Sequence, residues 1–215
     1  MGGYIEIPYL SEVFAKNGID VIINDEGKFI EGMKPEIAIV KDGTNEVLDV
    51  VMMGLTSQLS IMSSPKQEHI DEAREALASL GIAHLEHAGY GEISGGERQL
   101  VLIARALVQK SKILIMDEPT ANLDYGNQFR VMQRIAGLAK NGYTIILSTH
   151  NPDHAFIYAN RVVMMYGGKV IADGTPDEVL NAELIRKVYG VEVMVNNFEN
   201  TCRTHKLCVP KDTEF

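Results

Sequence analysis

Tryptophan is absent from this sequence, and cysteine occurs only at Cys202 and Cys208, near the C-terminal end. Two cysteines in 215 residues do not make a disulfide scaffold, so a packed core has to hold the fold and a reducing cytoplasm is the expected compartment. Basic charge is also scarce. Lys and Arg number 20 against 29 Asp and Glu, a net charge of -9. Nucleic-acid surfaces carry a basic footprint, so no nucleic-acid partner is expected, and nothing favours direct attraction to anionic lipid. No apolar run reaches the ~18 residues that a membrane-spanning helix requires. The opening MGGYIEIPYLSEVF lacks the basic start and continuous apolar stretch of a secretory signal. What is present is apolar content, 46% of residues, which is ample for one domain with room for a subdomain.

The first 45 residues differ in character from the rest. YLSEVFAKNG predicts a short helix closed by Asn17-Gly18, DVIINDEGKFIEG a hairpin, and PEIAIVKDG a strand ended by Asp42-Gly43. Residues 46 to 90 read as helical. Leu48, Val51 and Met52 share a face with Leu55 and Leu59, and Ile70, Ala73, Leu77 and Leu80 repeat the spacing beyond Pro65. Leu100, Ile103, Ala104 and Leu107 mark a further amphipathic helix. The period then changes. KILIMDEP and YTIILSTH are continuous apolar runs, as buried parallel strands covered on both faces would be. YGNQFRVMQRIAGLAKNG supplies the crossover helix between them. RVVMMYGGKVIADG predicts a hairpin turning at Gly167-Gly168. In TPDEVL, Thr175 is the expected N-cap, Pro176 opens the helix and Glu178 closes a capping box. The tail after Gly190 reads as polar, aperiodic and frayed. Cys202, His205 and Cys208 offer three ligands where structural zinc takes four, so they read as free thiols and a histidine on a mobile tail.

Three groups of residues could carry chemistry. Asp117 and Glu118 end an apolar strand, at the edge where parallel α/β sheets bind ligands. One carboxylate there can hold Mg²⁺ and the next can polarise an attacking water; a solvated pair of strand-end acids is the plainer alternative. Ser94, Gly95, Gly96 and Glu97 form a glycine-rich turn opening a helix, which presents backbone N–H groups to an anion. The same four residues make a plain capping box, and both readings hold together. His150 ends the next strand and could orient a water near Glu118. Asp124, in NLD, is by itself an ordinary turn acid.

Each element is weak alone, but their order is specific. SGGERQ, a helix, ILIMDEPT, NLD and then STH closely resembles the ATP-binding cassette (ABC) ATPase family, over Glu46 to Val193 or roughly two-thirds of the chain. VLDVVMMG, GIAHLEH and EISGGERQLVLIARAL further resemble the branch that powers importers of iron-siderophore complexes, haem, cobalamin and related metal chelates. The resemblance implies an α/β fold: a partial P-loop NTPase parallel sheet of ABC type, with a helical subdomain and an atypical N-terminal α+β segment. It divides the chain into an unmatched segment 1–45, a helical subdomain 46–98 ending in the signature loop, an ATPase half-core 99–193 and a tail 194–215. It implies ATP and Mg²⁺ as cofactors. Ser94, Gly95, Gly96 and Glu97 match the signature loop, with Glu97 where glutamine is usual; in the family this loop binds the γ-phosphate of ATP held by the partner subunit. Asp117 matches the acid that holds Mg²⁺, Glu118 the general base, Asp124 the acid that communicates across the dimer, and His150 the switch histidine. The implied partners are a second ABC ATPase subunit and a membrane permease. The implied location is cytoplasmic, peripheral on the inner face of the cell membrane.

The resemblance also identifies a missing motif. The family's phosphate loop, G-x-x-x-x-G-K-[ST], does not occur in these 215 residues. The two Gly-Lys pairs, Gly27-Lys28 and Gly168-Lys169, lack both the following hydroxyl residue and the preceding glycine. EIAIVKDGTN holds no glutamine where the family carries a glutamine-bearing loop, and nothing around Tyr4 or Tyr9 marks an adenine-stacking aromatic. Losing three charge-assisted hydrogen bonds to a triphosphate would cost about 5 to 9 kcal/mol, or about four to six decades in affinity. The expectation is an impaired ATPase that couples hydrolysis to metal-chelate import, or else a non-hydrolysing partner or interaction module that lends its signature loop to an intact cassette subunit.

Overall fold

The computed structural model describes residues 45–55, 66–200 and 203–211, with the side chains of 198–200 and 203–205 left aside. The helix, hairpin and strand expected before residue 45, together with Leu59 and Pro65, lie outside these residues. The helical part begins with α1, Val47–Met52, which tightens into a 3-10 turn at Met53–Leu55. Helix α2, Gln67–Ser79, and helix α3, Gly95–Leu107, pack against α1 and against each other. The expected stripe is what they bury: Val51, Leu55, Ala73, Leu77 and Leu80 are fully inaccessible, and Ile70 sits half-covered at the margin.

Strand β1, Ile113–Met116, runs parallel to β2, Thr144–Leu147, with Ile113 opposite Thr144 and Met116 opposite Leu147. Helix α4, Tyr125–Lys140, connects them as predicted. Its buried Val131, Met132, Ile135 and Leu138 join Leu114 in the main core. The strands depart from expectation on their other face. Ile115 is 60% exposed, so the sheet is covered on one side among the described residues. Strand side chains alternate in direction, and α4 reaches only the face that holds Leu114.

A short helix α5, Pro152–Tyr158, follows β2, and then β3, Val162–Tyr166, pairs antiparallel with β4, Lys169–Gly174. The hairpin turns at Gly167 (φ +56°) and Gly168 (φ +74°), a double left-handed turn that glycine adopts without steric cost. Helix α6, Pro176–Val179, starts as predicted, with the Thr175 amide and hydroxyl donating to Glu178 Oε2 at 2.8 and 2.9 Å. Helix α7, Ala182–Tyr189, is capped by Asn181 and closed by Gly190 at φ +71°.

The tail is a correction. Residues Val193–Asn200 (β5) and Arg203–Pro210 (β6) pair antiparallel over their whole length rather than fraying. The reason is a second core. Val193 is buried with Met164, Val179, Leu180 and Ile185, and Val195 and Cys208 pack on them. The Cys208 amide donates to Asp153 Oδ1 at 2.8 Å, tying β6 to α5. Cys208 is therefore not a thiol on a mobile tail: burial, then the Asp153 charge, pushes it up to about 11. Cys202 lies outside the described residues.

His154 on α5 is 2% exposed, and neither of its ring nitrogens has a hydrogen-bond partner among the described residues. The Phe129 and Tyr158 rings meet it edge-on at centroid distances of 5.9 and 6.5 Å. Burial lowers its pKa, with the Asp153 charge opposing and His150 adding slightly. The folded state therefore binds fewer protons than the unfolded chain, so stability is lost as pH falls through the unfolded value near ~6.5. His154→Phe is expected to raise stability at neutral pH by about 1 kcal/mol, because it removes two orphaned nitrogens. It should also flatten the loss below about pH 6.5. Urea melts of both proteins between neutral and mildly acidic pH check this; a parallel fall in the two would contradict it.

Candidate functional site

Two groups of side chains emerge from this frame. The first stands at the C-terminal ends of β1 and β2. The Ser148 amide continues the ladder by donating to the Met116 carbonyl at 3.0 Å, which brings Ser148 level with Asp117. Its hydroxyl donates to Asp117 Oδ1 at 2.5 Å and accepts from the Glu118 amide at 2.9 Å. Glu118 has φ +43°, in the left-handed region that costs a residue with a Cβ about 1–2 kcal/mol. The chain turns sharply there, and the Ala121 amide returns to the Glu118 carbonyl at 2.9 Å. The turn aims the Glu118 carboxylate at the neighbouring strand end, where Oε1 lies 3.3 Å from His150 Nδ1. Asp117, Glu118 and His150 thus stand together at one sheet edge. Ser148, which joins Asp117 to the Glu118 amide, was not singled out in the sequence. Its only signal was a hydroxyl residue between an apolar run and His150.

The second group lies where α3 and α4 begin. Ser94 caps α3: its amide and hydroxyl donate to Glu97 Oε2 at 2.8 and 2.6 Å, and the Glu97 amide donates back to Ser94 Oγ at 3.3 Å. The Ser94 hydroxyl, and after it the Ser94 amide, hold the Glu97 carboxyl below the usual range. Asp124 caps α4, accepting from the Asn127 amide at 3.0 Å and from Asn127 Nδ2 at 2.6 Å. The Asn127 backbone N–H is the main cause of its lowered pKa. The glycines bring these two helix starts together. A Cβ on Gly95 would lie 3.3 Å from Leu123 Cδ2, and one on Gly96 would lie 2.8 Å from Asn127 Cγ. The residues on either side of Asp124, Leu123 before it and Asn127 on the helix it caps, accordingly meet the Ser94–Glu97 loop. A cleft of about 420 Å³ opens beside this junction, lined by Ser94, Gly96, Glu97, Asn127, Arg130 and Arg134 among others.

The chemistry of the two groups differs. The sheet edge offers a carboxylate and an imidazole within reach of one water, with a second carboxylate alongside. The loop offers the first-turn amides of a 13-residue helix, which have no carbonyl four residues back.

The family model described as ABC transporter matches residues 19–121. The match begins inside the segment for which the motifs alone gave no counterpart, and it contains Ser94–Glu97, Asp117 and Glu118. The phosphonates import ATP-binding protein PhnC of Thiobacillus denitrificans is 34% identical over 174 residues, which cover 76% of this chain and 67% of that protein. The chain belongs to the ABC transporter ATPase family. A Haemophilus influenzae ABC transporter ATP-binding protein is 44% identical over 143 residues, 66% of this chain and 54% of the relative. Among solved structures, an inward-facing transporter described as of metal-chelate type superposes with a TM-score of 0.73 at 26% identity, covering 84% of this chain and 69% of the other. The fold is therefore that of the ABC-type P-loop NTPase cassette, present in part. The chain spans about half the length of the first curated relatives it matches.

Because Glu97 is more acidic in the fold than in the unfolded chain, its contribution is complete above the ordinary glutamate pKa of about 4.3 and is lost as pH falls through the folded value. Ser94→Ala removes the hydroxyl behind that shift and also the N-cap. It is expected to lower stability at pH 7 by about 0.5–2 kcal/mol, and to make the acid loss below about pH 4.3 shallower. Denaturant melts across that range test both parts; an unchanged acid slope would contradict the second.

Proposed function

We propose that this chain is an ATP-binding subunit, or part of one, of an ABC transporter that imports an iron-siderophore complex or a related metal chelate. The observation that carries the reading is the Glu118–His150 approach of 3.3 Å, beside Asp117, at the C-terminal edge of two parallel strands. That arrangement suits a water held by Glu118 as base, with His150 contacting the γ-phosphate. Asp117 is the residue that would hold Mg²⁺. Its exposed carboxylate, bonded to Ser148 through Oδ1, is a hard oxygen donor of the kind Mg²⁺ takes alongside water and phosphate oxygens. When bound, Mg²⁺ neutralises charge on the transferring phosphoryl group. Ser94, Gly95, Gly96 and Glu97 would grip the γ-phosphate of ATP held by a second cassette subunit, with Asp124 communicating between the two.

The import direction and the metal-chelate class rest on the sequence resemblance; the relative described as a phosphonates import protein supports the first, and the metal-chelate-type structural neighbour supports the second. The chain would work on the inner face of the membrane, docked to a permease. No helix among the described residues is long and apolar enough to cross a membrane by itself.

A second reading is favoured by one observation: the 215 residues contain no G-x-x-x-x-G-K-[ST]. In that reading the chain hydrolyses little ATP itself and lends its signature loop to an intact cassette. One set of measurements separates the readings. Equilibrium titration of the isolated chain with MgATP is expected to give an affinity weaker than micromolar; micromolar binding would overturn the claim of impairment. Mixed with an intact metal-chelate-importer cassette, the chain is expected to pair only with MgATP, and Ser94→Arg should abolish the pairing. Indifference of that pairing to ATP would leave an interaction module without a nucleotide role.

A further inference from the structure

Asn127 was assigned no role by the motifs, yet it stands where the two loop elements meet. Both carboxylate oxygens of Asp124 are held by it, Oδ1 by its amide at 3.0 Å and Oδ2 by its side-chain Nδ2 at 2.6 Å. The other end of the same side chain, Oδ1, accepts from Arg130 Nη1 at 3.1 Å. With an acid on one side and a guanidinium on the other, only one orientation of the amide satisfies both neighbours. The face of this fixed amide is the seat of Gly96. A Cβ there would come within 2.8 Å of Cγ and Oδ1 and within 3.0 Å of the Asn127 Cβ. Such separations are too close for packed carbon atoms, so the side chain that locks Asp124 also leaves room for nothing but glycine in the loop. Arg130 braces the arrangement from one side, and its charge favours the ionised form of both Asp124 and Glu97.

We propose that Asn127 is a positioning residue that makes the Ser94–Glu97 loop and Asp124 move as one unit, its side-chain amide clamping the acid while its face fixes the height of Gly96. This rests on the reading of the loop and Asp124 as contacts of the ATPase dimer for its functional meaning, but the interlock itself does not. A displacement of Asp124 is transmitted to the loop through Asn127 because a close-packed contact leaves no slack to absorb it.

The test uses the full chain, free of nucleotide, followed by amide and carboxyl NMR. In the native background, Asp124→Asn is expected to shift the Gly96 and Glu97 amide resonances. In an Asn127→Ala background, the same Asp124→Asn change should leave those resonances in place. Asn127→Ala alone should raise the Asp124 pKa, a change that loss of packing would not by itself produce. A second pair keeps the test decisive if Asn127→Ala folds poorly. Gly96→Ala is expected to lower the melting temperature, and adding Asn127→Gly, which removes the atoms that the new methyl meets, should recover part of the loss. Equal responses of the loop amides in both backgrounds, or no recovery in the double variant, would overturn the interlock. Intact coupling in the resonances combined with ATP-indifferent pairing would instead count against the nucleotide reading and leave the interlock standing.

Discussion

The parallel pairing of β1 with β2 is the constraint from which the sheet-edge site follows. Its register sets Met116 opposite Leu147, and the next ladder bond, from the Ser148 amide to the Met116 carbonyl, puts a hydroxyl level with Asp117. One hydroxyl then meets two demands, donating to Asp117 and accepting from the Glu118 amide. That amide belongs to a residue in left-handed backbone, whose cost needs local compensation. A slip of one residue would turn every strand side chain to the opposite face. Ser148 would then leave Asp117, and Leu114 would leave the core.

Much of this was legible because the patterns that encode it are local. The i, i+3, i+4 stripe in α2 and α3, the Gly167-Gly168 turn and the Thr175–Glu178 box each need only neighbours in sequence, and each formed as read. The C-terminal hairpin was not legible, because its cause is distant. Val193, Val195 and Cys208 pack against Met164, Val179 and Ile185, and the Asp153 carboxylate reaches the Cys208 amide from 55 positions away. Alternation in β5 is blurred by exposed Met194, so the segment looked aperiodic. The expectation of a sheet covered on both faces failed similarly. An apolar run says that burial is favourable, but not which element arrives to supply it, and Ile115 is exposed among the described residues.

The candidate site divides along the same line. Asp117, Glu118 and His150 were visible as residue types at strand ends, a placement that follows from period and order alone. Ser148 was not, because its importance lies in a hydrogen bond between strands. The loop residues were visible as a capping box, but their nearness to Leu123 and Asn127 was not. That nearness depends on what a Cβ at Gly95 or Gly96 would strike, and a glycine in sequence does not say whether it serves a turn or a close approach.

Magnitudes decide which contacts create this geometry and which result from it. The Glu118–His150 pair is 46% and 71% exposed at its two side chains, and exposed pairs of this kind contribute about 0–1 kcal/mol. It cannot hold the edge in shape. The Ser148 bonds are the better candidates, because one of them fixes the Asp117 carboxyl and the other satisfies an amide that the turn removes from the ladder. The same ranking applies at the loop. Caps contribute about 0.5–2 kcal/mol each, and they fix where the helix starts lie before any ligand arrives. At the sheet edge the acid pair is therefore held by Ser148, whereas at the loop Ser94 and Glu97 hold each other. Glu118 and His150 remain exposed and weakly committed to each other, so a water can come between them without breaking the Ser148 bonds that hold Asp117 and the Glu118 amide.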